Sequence, residues 1–238
     1  MAASAAQATT LDFTTDMALG GDAYINESHV LNGVILTNRD KLQNGNAFTT
    51  ESFENIGTFT AEFDMKLGSG TGASGLTFAW VTDPSASTSA GSNLGFTGMT
   101  GYAVEFDTYN SGNWDSGSDN HVAVIQNSTT SVLIQEEVNF NLNNAVYHHV
   151  DIEFDNGIIS VDIDGQNYID DFEIQGYSGL DGYFGFTAAT GPNYADWHKV
   201  KNFTLTNVSP VPEPSTYALM LGGLGLVGFM AYRRRKTA

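Results

Sequence analysis

Between Leu11 and Val208 apolar and polar residues alternate in short runs, and clusters of Gly, Asn, Asp and Ser separate the runs. Thr58 to Leu67 (TFTAEFDMKL), Gly75 to Val81 (GLTFAWV) and Tyr102 to Tyr109 (YAVEFDTY) are the clearest. A period of two puts successive side chains on opposite faces, so each run predicts a β-strand with one face turned to a core. Further strands are expected from His121 to Gln126, Ser131 to Glu136, Tyr147 to Phe154, Ile158 to Ile163, Gly182 to Ala188 and Val200 to Thr206. Asp155-Asn-Gly157 is a hairpin signal between two of them. No stretch before Tyr217 has a helical period. About a dozen strands without a break predict an all-β fold, a jelly-roll sandwich of two packed antiparallel sheets.

The pattern changes at the end of the chain. Ser209-Pro-Val-Pro-Glu-Pro-Ser215 reads as an extended linker, which sets residues 209–216 apart from a body over residues 11–208. Tyr217 to Tyr232 has no charged residue, and Arg233, Arg234, Arg235 and Lys236 follow at once. As a helix this run spans about 24 Å, somewhat less than a hydrocarbon core of roughly 30 Å. Residues 217–238 therefore predict one C-terminal transmembrane helix, crossing through residues 217–232, with a basic cytoplasmic end. The body then lies on the far side of the membrane. The alternative is a buried core helix, but nothing follows it to pack against.

The tail also hides the charge of the body. The chain carries 27 Asp+Glu and nine Lys+Arg; removing Glu213 and the four cations at 233–236 leaves 26 and five over residues 1–210, a formal charge of −21. Such a body does not bind nucleic acid, whose affinity comes from cations on phosphates. It is fit to attract divalent cations, although most of these charges serve to solvate an exported surface. There are no cysteines among the 238 residues, so an exported domain must be held by its core, by metals, or by both. Residues 1–10 are expected to be the remnant of a signal peptide. Ala6-Gln-Ala8 has the small-x-small form of a cleavage site, without the apolar and basic regions that normally precede one.

The chemistry concentrates between Val104 and His121 (VEFDTYNSGNWDSGSDNH). On a strand Glu105, Asp107 and Tyr109 point together, and a polar loop then leads to His121. The stretch offers carboxylates, an amide, a backbone carbonyl and one imidazole. Oxygen ligands suit Ca²⁺, and carboxylates with one imidazole suit Mn²⁺ or a similar transition ion. An acidic turn beside a solvent-facing histidine is the plainer alternative.

Three segments decide between them. Ala103 to Tyr109 (AVEFDTY), Trp114-Asp115 and Asn120 to Ser128 (NHVAVIQNS) resemble the metal-binding core of legume-type (L-type) lectins. Gly20 to Ala23, Gly33 to Thr37, Gly45 to Phe48, Gly57 to Phe63, Gly75 to Phe78, Asn93 to Phe96, Tyr183 to Gly191 and His198 to Val200 fit the same family in order. The resemblance covers residues 11–206 and implies the concanavalin-like form of the jelly roll. It implies Glu105, Asp107, Asp115 and His121 as ligands of a Mn²⁺-type ion. For a neighbouring Ca²⁺ it implies Asp107, Tyr109 through its carbonyl, an asparagine and Asp115. Asn113 is the asparagine expected, with Asn110 as the other choice, because the family's usual position is Ser111 here. Asp119 competes with Asp115, which has the Trp114 neighbour and the better spacing to His121.

For the sugar the resemblance implies Ser74, Ser92, Asn113 and an aromatic, Tyr194. The family places an aspartate after an alanine, commonly through a cis peptide, whereas here Ala73 is followed by Ser74. A serine is the poorer acceptor, since hydrogen bonds to ionised groups are about twice as strong. Ser92 stands near the family's glycine N–H donor. The aromatics of Pro192 to Trp197 (PNYADW) offer a stacking surface, or simply pack the loop.

Val211-Pro-Glu-Pro214, the apolar run and Arg233 to Lys236 together resemble a PEP-CTERM sorting signal. That likeness implies a bacterial exosortase-type processing enzyme as partner, an inner-membrane anchor and release to the surface or extracellular matrix. The function expected is then metal-dependent binding of a glycan or exopolysaccharide. A structural matrix protein that keeps the metals without the sugar is the alternative. A glycoside hydrolase of the same sandwich needs a second glutamate after Glu105-Phe-Asp107; Tyr109 and Asn110 stand at both candidate positions, so no enzyme is expected. His148-His149 is read as packing and surface.

Overall fold

The computed structural model describes residues 9–86, 90–96, 98–112 and 115–210; the expectations for residues 1–8, Asn113, Trp114 and residues 211–238 lie outside them. Among the described residues, no helix is long and apolar enough to cross a membrane.

Two seven-stranded antiparallel sheets face one another. The first contains β1 (Thr9–Thr10), β3 (Gly33–Thr37), β5 (Ile56–Gly68), β10 (Tyr147–Asp155), β11 (Ile158–Ile163), β12 (Gln166–Glu173) and β14 (Trp197–Pro210). Its order is β1-β14-β5-β10-β11-β12, and β3 also pairs with β14. The second contains β2 (Met17–Gly21), β4 (Asn44–Thr49), β6 (Gly75–Val81), β7 (Gly101–Asp107), β8 (His121–Gln126), β9 (Val132–Glu137) and β13 (Tyr183–Ala189). Its order is β2-β4-β13-β6-β7-β8-β9.

The inward faces meet in an aromatic core. Phe59 and Phe63 of the first sheet pack on Phe78, Trp80, Phe184 and Phe186 of the second, with centroids 4.9–6.0 Å apart. Offset and edge-to-face rings of this kind add stabilisation beyond the area they bury.

The two sheets differ on their outward faces. β10 alternates between buried and open positions, as its sequence predicts for a sheet wet on one side. β6 is buried at every position. Its outward residues Ala79 and Val81 join Phe48, Ala103, Ala123 and Ile125 in a second cluster, capped by Phe96 and Met99 from the 90–100 loop. That loop is why polar outward residues of the second sheet are buried. Thr77 and Thr187 meet at 2.8 Å, and Thr187 donates to the Leu94 carbonyl at 2.7 Å.

The structure departs from these expectations in two places. β7 stops at Asp107, so Tyr109 does not continue the face of Glu105 and Asp107. β12 went unpredicted, because Asn167-Tyr-Ile-Asp-Asp-Phe-Glu173 has its apolar residues out of strict alternation and a bulge against β11 absorbs the irregularity.

Candidate functional site

β7 and β8 are antiparallel neighbours in which Asp107 lies opposite His121 and Glu105 opposite Ala123. Glu105 and Asp107 are two apart, so both point to the outward face of the sheet. Glu105, Asp107 and His121 are 2 %, 1 % and 1 % exposed. A ligand atom from each lies within 4.8 Å of the others. Asp115, also buried, arrives from the loop between the strands: its carboxylate accepts the Ser111 N–H, and its carbonyl accepts Gln135 Nε2–H at 2.9 Å. Asp119 is exposed, so of the two competing aspartates only Asp115 reaches the interior.

The electrostatics of this cluster are unbalanced. Among the described residues, no ion pair involves its carboxylates. Burial, then the neighbouring Asp107 carboxylate, pushes the Glu105 carboxyl well above the usual range. Burial also pushes Asp107 up to about 8 and His121 down to about 4. Asp115 is raised by burial too. Glu105 Oε2 and His121 Nδ1 are buried with no hydrogen-bond partner. Buried polar atoms are normally satisfied, and buried carboxylates normally paired or bound to metal. A divalent cation would satisfy the orphaned atoms and neutralise the carboxylates together. The donor set of carboxylates with one imidazole fits a transition ion, and added oxygens from the loop fit Ca²⁺.

Asn110 is committed elsewhere. Its Nδ2–H donates to the Gly117 carbonyl at 2.7 Å and its Oδ1 accepts the Gly112 N–H at 3.0 Å. The Tyr109 N–H donates to Asp107 Oδ1 at 2.6 Å, which fixes the turn beyond β7.

A cleft of about 240 Å³ opens beside the cluster, lined by Ser74, Ser92, Tyr109, Ser111, Asn193 and Tyr194 among others. The expected sugar contacts Ser74, Ser92 and Tyr194 thus come together from three loops. The Ala73–Ser74 peptide is cis. Ser74 donates its N–H to the Ala189 carbonyl at 3.0 Å, and its own carbonyl accepts the Thr108 N–H at 2.9 Å. Gly75 follows with φ 152°, and a Cβ there would lie 2.2 Å from the Phe106 carbonyl, so only glycine lets this loop close onto β7.

The 70–74 loop is zipped to the 191–197 loop. Thr71 N–H donates to the Ala195 carbonyl at 2.9 Å, Ala195 N–H donates to Thr71 Oγ1 at 3.0 Å, and Gly70 N–H donates to Asp196. Tyr194 approaches Tyr109 at 5.6 Å across the cleft. Trp197 turns away, stacked with His29 at 6.2 Å and covered by Lys199 Nζ at 4.3 Å, and is not part of the lining. Sequence reasoning missed Gln135 and Asp196. Both act through long-range contacts that no local motif announces.

The fold agrees with the similarities of the chain. The family model of the legume lectin domain matches residues 8–219. The chain belongs to the legume lectin domain family. A second model, the PEP-CTERM protein-sorting motif, matches residues 210–236, and such a signal implies export with a membrane-anchored C-terminal tail. No curated protein sequence matches the chain.

Among solved structures, the metal-free form of lectin I-B4 from Griffonia simplicifolia is 20 % identical, with a TM-score of 0.71 over 85 % of this chain and 100 % of that one. The exoplasmic/lumenal domain of VIP36, in a Ca²⁺/Man2-bound form, is 16 % identical with a TM-score of 0.68, over 87 % and 90 %. Arcelin-5, a lectin-like defence protein from Phaseolus vulgaris, is 18 % identical with a TM-score of 0.68, over 85 % and 98 %. At these identities the structural likenesses establish the fold.

Proposed function

We propose that this lectin-fold protein is an exported, metal-dependent glycan binder of the bacterial surface or exopolysaccharide matrix. The observation that carries the reading is the buried, uncompensated cluster of Glu105, Asp107 and His121 beside an open cleft. Glu105, Asp107, Asp115 and His121 would hold a Mn²⁺-type ion. Asp107, the Tyr109 carbonyl, Asn113 and Asp115 would hold Ca²⁺. Bound ions supply fixed positive charge that neutralises the carboxylates and stiffens the 108–120 loop. Ser74, Ser92, Asn113 and Tyr194 would then meet the sugar. The Ca²⁺/Man2-bound form of the VIP36 domain supports this pairing of ion and sugar on one fold. The PEP-CTERM motif supports anchoring through residues 217–232, cleavage by an exosortase-type enzyme and release of the 11–208 body beyond the inner membrane, with residues 1–10 and 209–216 as leader remnant and linker.

A glycan array read with Ca²⁺ and Mn²⁺, and again with chelator, tests the proposal. Sugar binding that disappears with chelator is expected. Asp107→Ala should lose both ions and much stability, because this carboxylate would bridge them. A variant that keeps the parent's melting temperature in excess Ca²⁺ and Mn²⁺ would sink the ligand assignment.

Ser74 favours one second reading, a matrix protein that keeps the ions for its fold and has no sugar ligand. Chelator would then lower the melting temperature, while no glycan binds under either condition. A hydrolase of the same sandwich would need a second glutamate after Glu105-Phe-Asp107, where Tyr109 and Asn110 stand.

A further inference from the structure

We infer that the cleft of Ser74, Ser92, Ser111, Tyr109 and Tyr194 takes a sugar bearing its own negative charge, a uronic acid unit of an acidic polysaccharide. The inference rests on the glycan-binding reading above and narrows its ligand class.

The body is crowded with acids, 26 against five cations once Glu213 and the four terminal cations are taken from the chain's 27 and nine. The described lining of the cleft nevertheless contains no charged residue of either sign. Its polar side chains are hydroxyls and two amides, and each hydroxyl can donate one hydrogen bond. Ser74 has its N–H and its carbonyl both engaged, with Ala189 and Thr108, so its hydroxyl is the polar group left to face the cleft. Tyr109 and Tyr194, 37 % and 44 % exposed, add two phenol hydroxyls at the rim.

Donor supply has to match ligand demand. A neutral sugar offers hydroxyls that both donate and accept, and it gains most from an ionised acceptor able to take two of its protons. At position 74 that acceptor is a serine. A uronate carboxylate is acceptor-only, with about four lone-pair sites, and bonds to it are charge-assisted. Serine and tyrosine hydroxyls supply what such a group needs. An aspartate at the same place would repel it and compete for the same donors. The acids behind the cleft, Asp107 and Asp115, belong to the cluster already assigned to metal ions, so they do not oppose a uronate once the site is loaded. Acids elsewhere on the body act across solvent, where charges more than about 8 Å apart are largely screened at physiological salt.

The experiment is calorimetric titration of the full chain, loaded with Ca²⁺ and Mn²⁺, with trisaccharides of galacturonate and glucuronate and their neutral hexose counterparts. The parent should bind at least one uronate trimer tenfold or more tighter than its neutral counterpart. Ser74→Asp should reverse that preference. Ser74→Asn, the uncharged counterpart of the aspartate, should weaken uronate binding less than Ser74→Asp does, and melting temperatures of both variants guard against a folding defect. Neutral sugar binding preferred by the parent would overturn the inference and leave the glycan-binding reading standing. Equal weakening of uronate binding by Ser74→Asn and Ser74→Asp would also overturn it, since size rather than charge would then decide. No binding of any trimer by a metal-loaded parent would remove both readings together.

Discussion

At the scale of single residues, the buried polar groups carry the most information. His198 lies fully buried, with Nδ1 2.6 Å from Thr37 Oγ1. The Thr37 hydroxyl donates to the Asp196 carbonyl at 3.1 Å, so it accepts from His198, and the proton must sit on Nδ1. Nε2 is then a bare acceptor without a partner. Burial accordingly pushes the imidazole down to about 3 from its ordinary 6.5. The unfolded chain binds this proton first, so the group's contribution is whole above pH 6.5 and is lost as pH falls toward 3. At pH 5 the loss is about 2 kcal/mol. His198→Asn keeps a donor near Thr37 and cannot be protonated there, so its unfolding free energy should fall less steeply than the parent's between pH 6.5 and 4. Parallel curves in denaturant titrations would contradict a neutral buried His198. The cluster of Glu105, Asp107 and His121, by contrast, was legible in the sequence, because Glu105 and Asp107 share a strand face at period two and His121 closes the polar loop that follows.

At the scale of elements, the two sheets pose different problems. Glu62 of β5, Asp151 of β10 and Asp162 of β11 lie directly opposite one another on the outward face of the first sheet. Burial raises the Asp151 carboxyl, and the Glu62, Glu153 and Asp162 carboxylates raise it further. An acid with a raised native value opposes folding at neutral pH, and the penalty disappears as pH falls through that value. Asp151→Asn should therefore stabilise the protein by roughly 0.2–1 kcal/mol at pH 7, the usual size of a cross-strand pair effect. The gain should vanish in acid, where parent and variant become alike; thermal melts at the two pH values check it. Alternation along β5 and β10 revealed these strands, whereas β2 is short and ends in two glycines, and the apolar residues of β12 fall out of alternation. Covering of the second sheet by the 90–100 loop was not legible either, since alternation reports one face against the other and not how many faces are covered.

For the whole molecule, the question is what replaces disulfides in an exported chain without cysteine. The aromatic core between the sheets is one answer, and the proposed ions are the other. A ligand held only by the native state at 100 times its dissociation constant adds about 2.7 kcal/mol. For a domain of this size each kcal/mol moves the midpoint by about 2–4 °C. Chelation should thus lower the melting temperature by roughly 5–10 °C per ion, and the midpoint should climb with free metal concentration. A midpoint indifferent to metal would leave the core as the sole support. Several properties belong to the sequence alone: two antiparallel sheets, an acidic body, a cluster of candidate ligands and a sorting motif at the end. Each follows from local period, composition or short spacing. The tertiary structure decided the rest. It buried Asp115 while leaving Asp119 in solvent, tied Asn110 into its own loop, and turned Trp197 away while bringing Tyr194 to the cleft. It also drew Ser74 and Ser92 to one place beside Tyr109. These outcomes depend on contacts between segments far apart in the chain, which only the packing of the sheets and their loops determines.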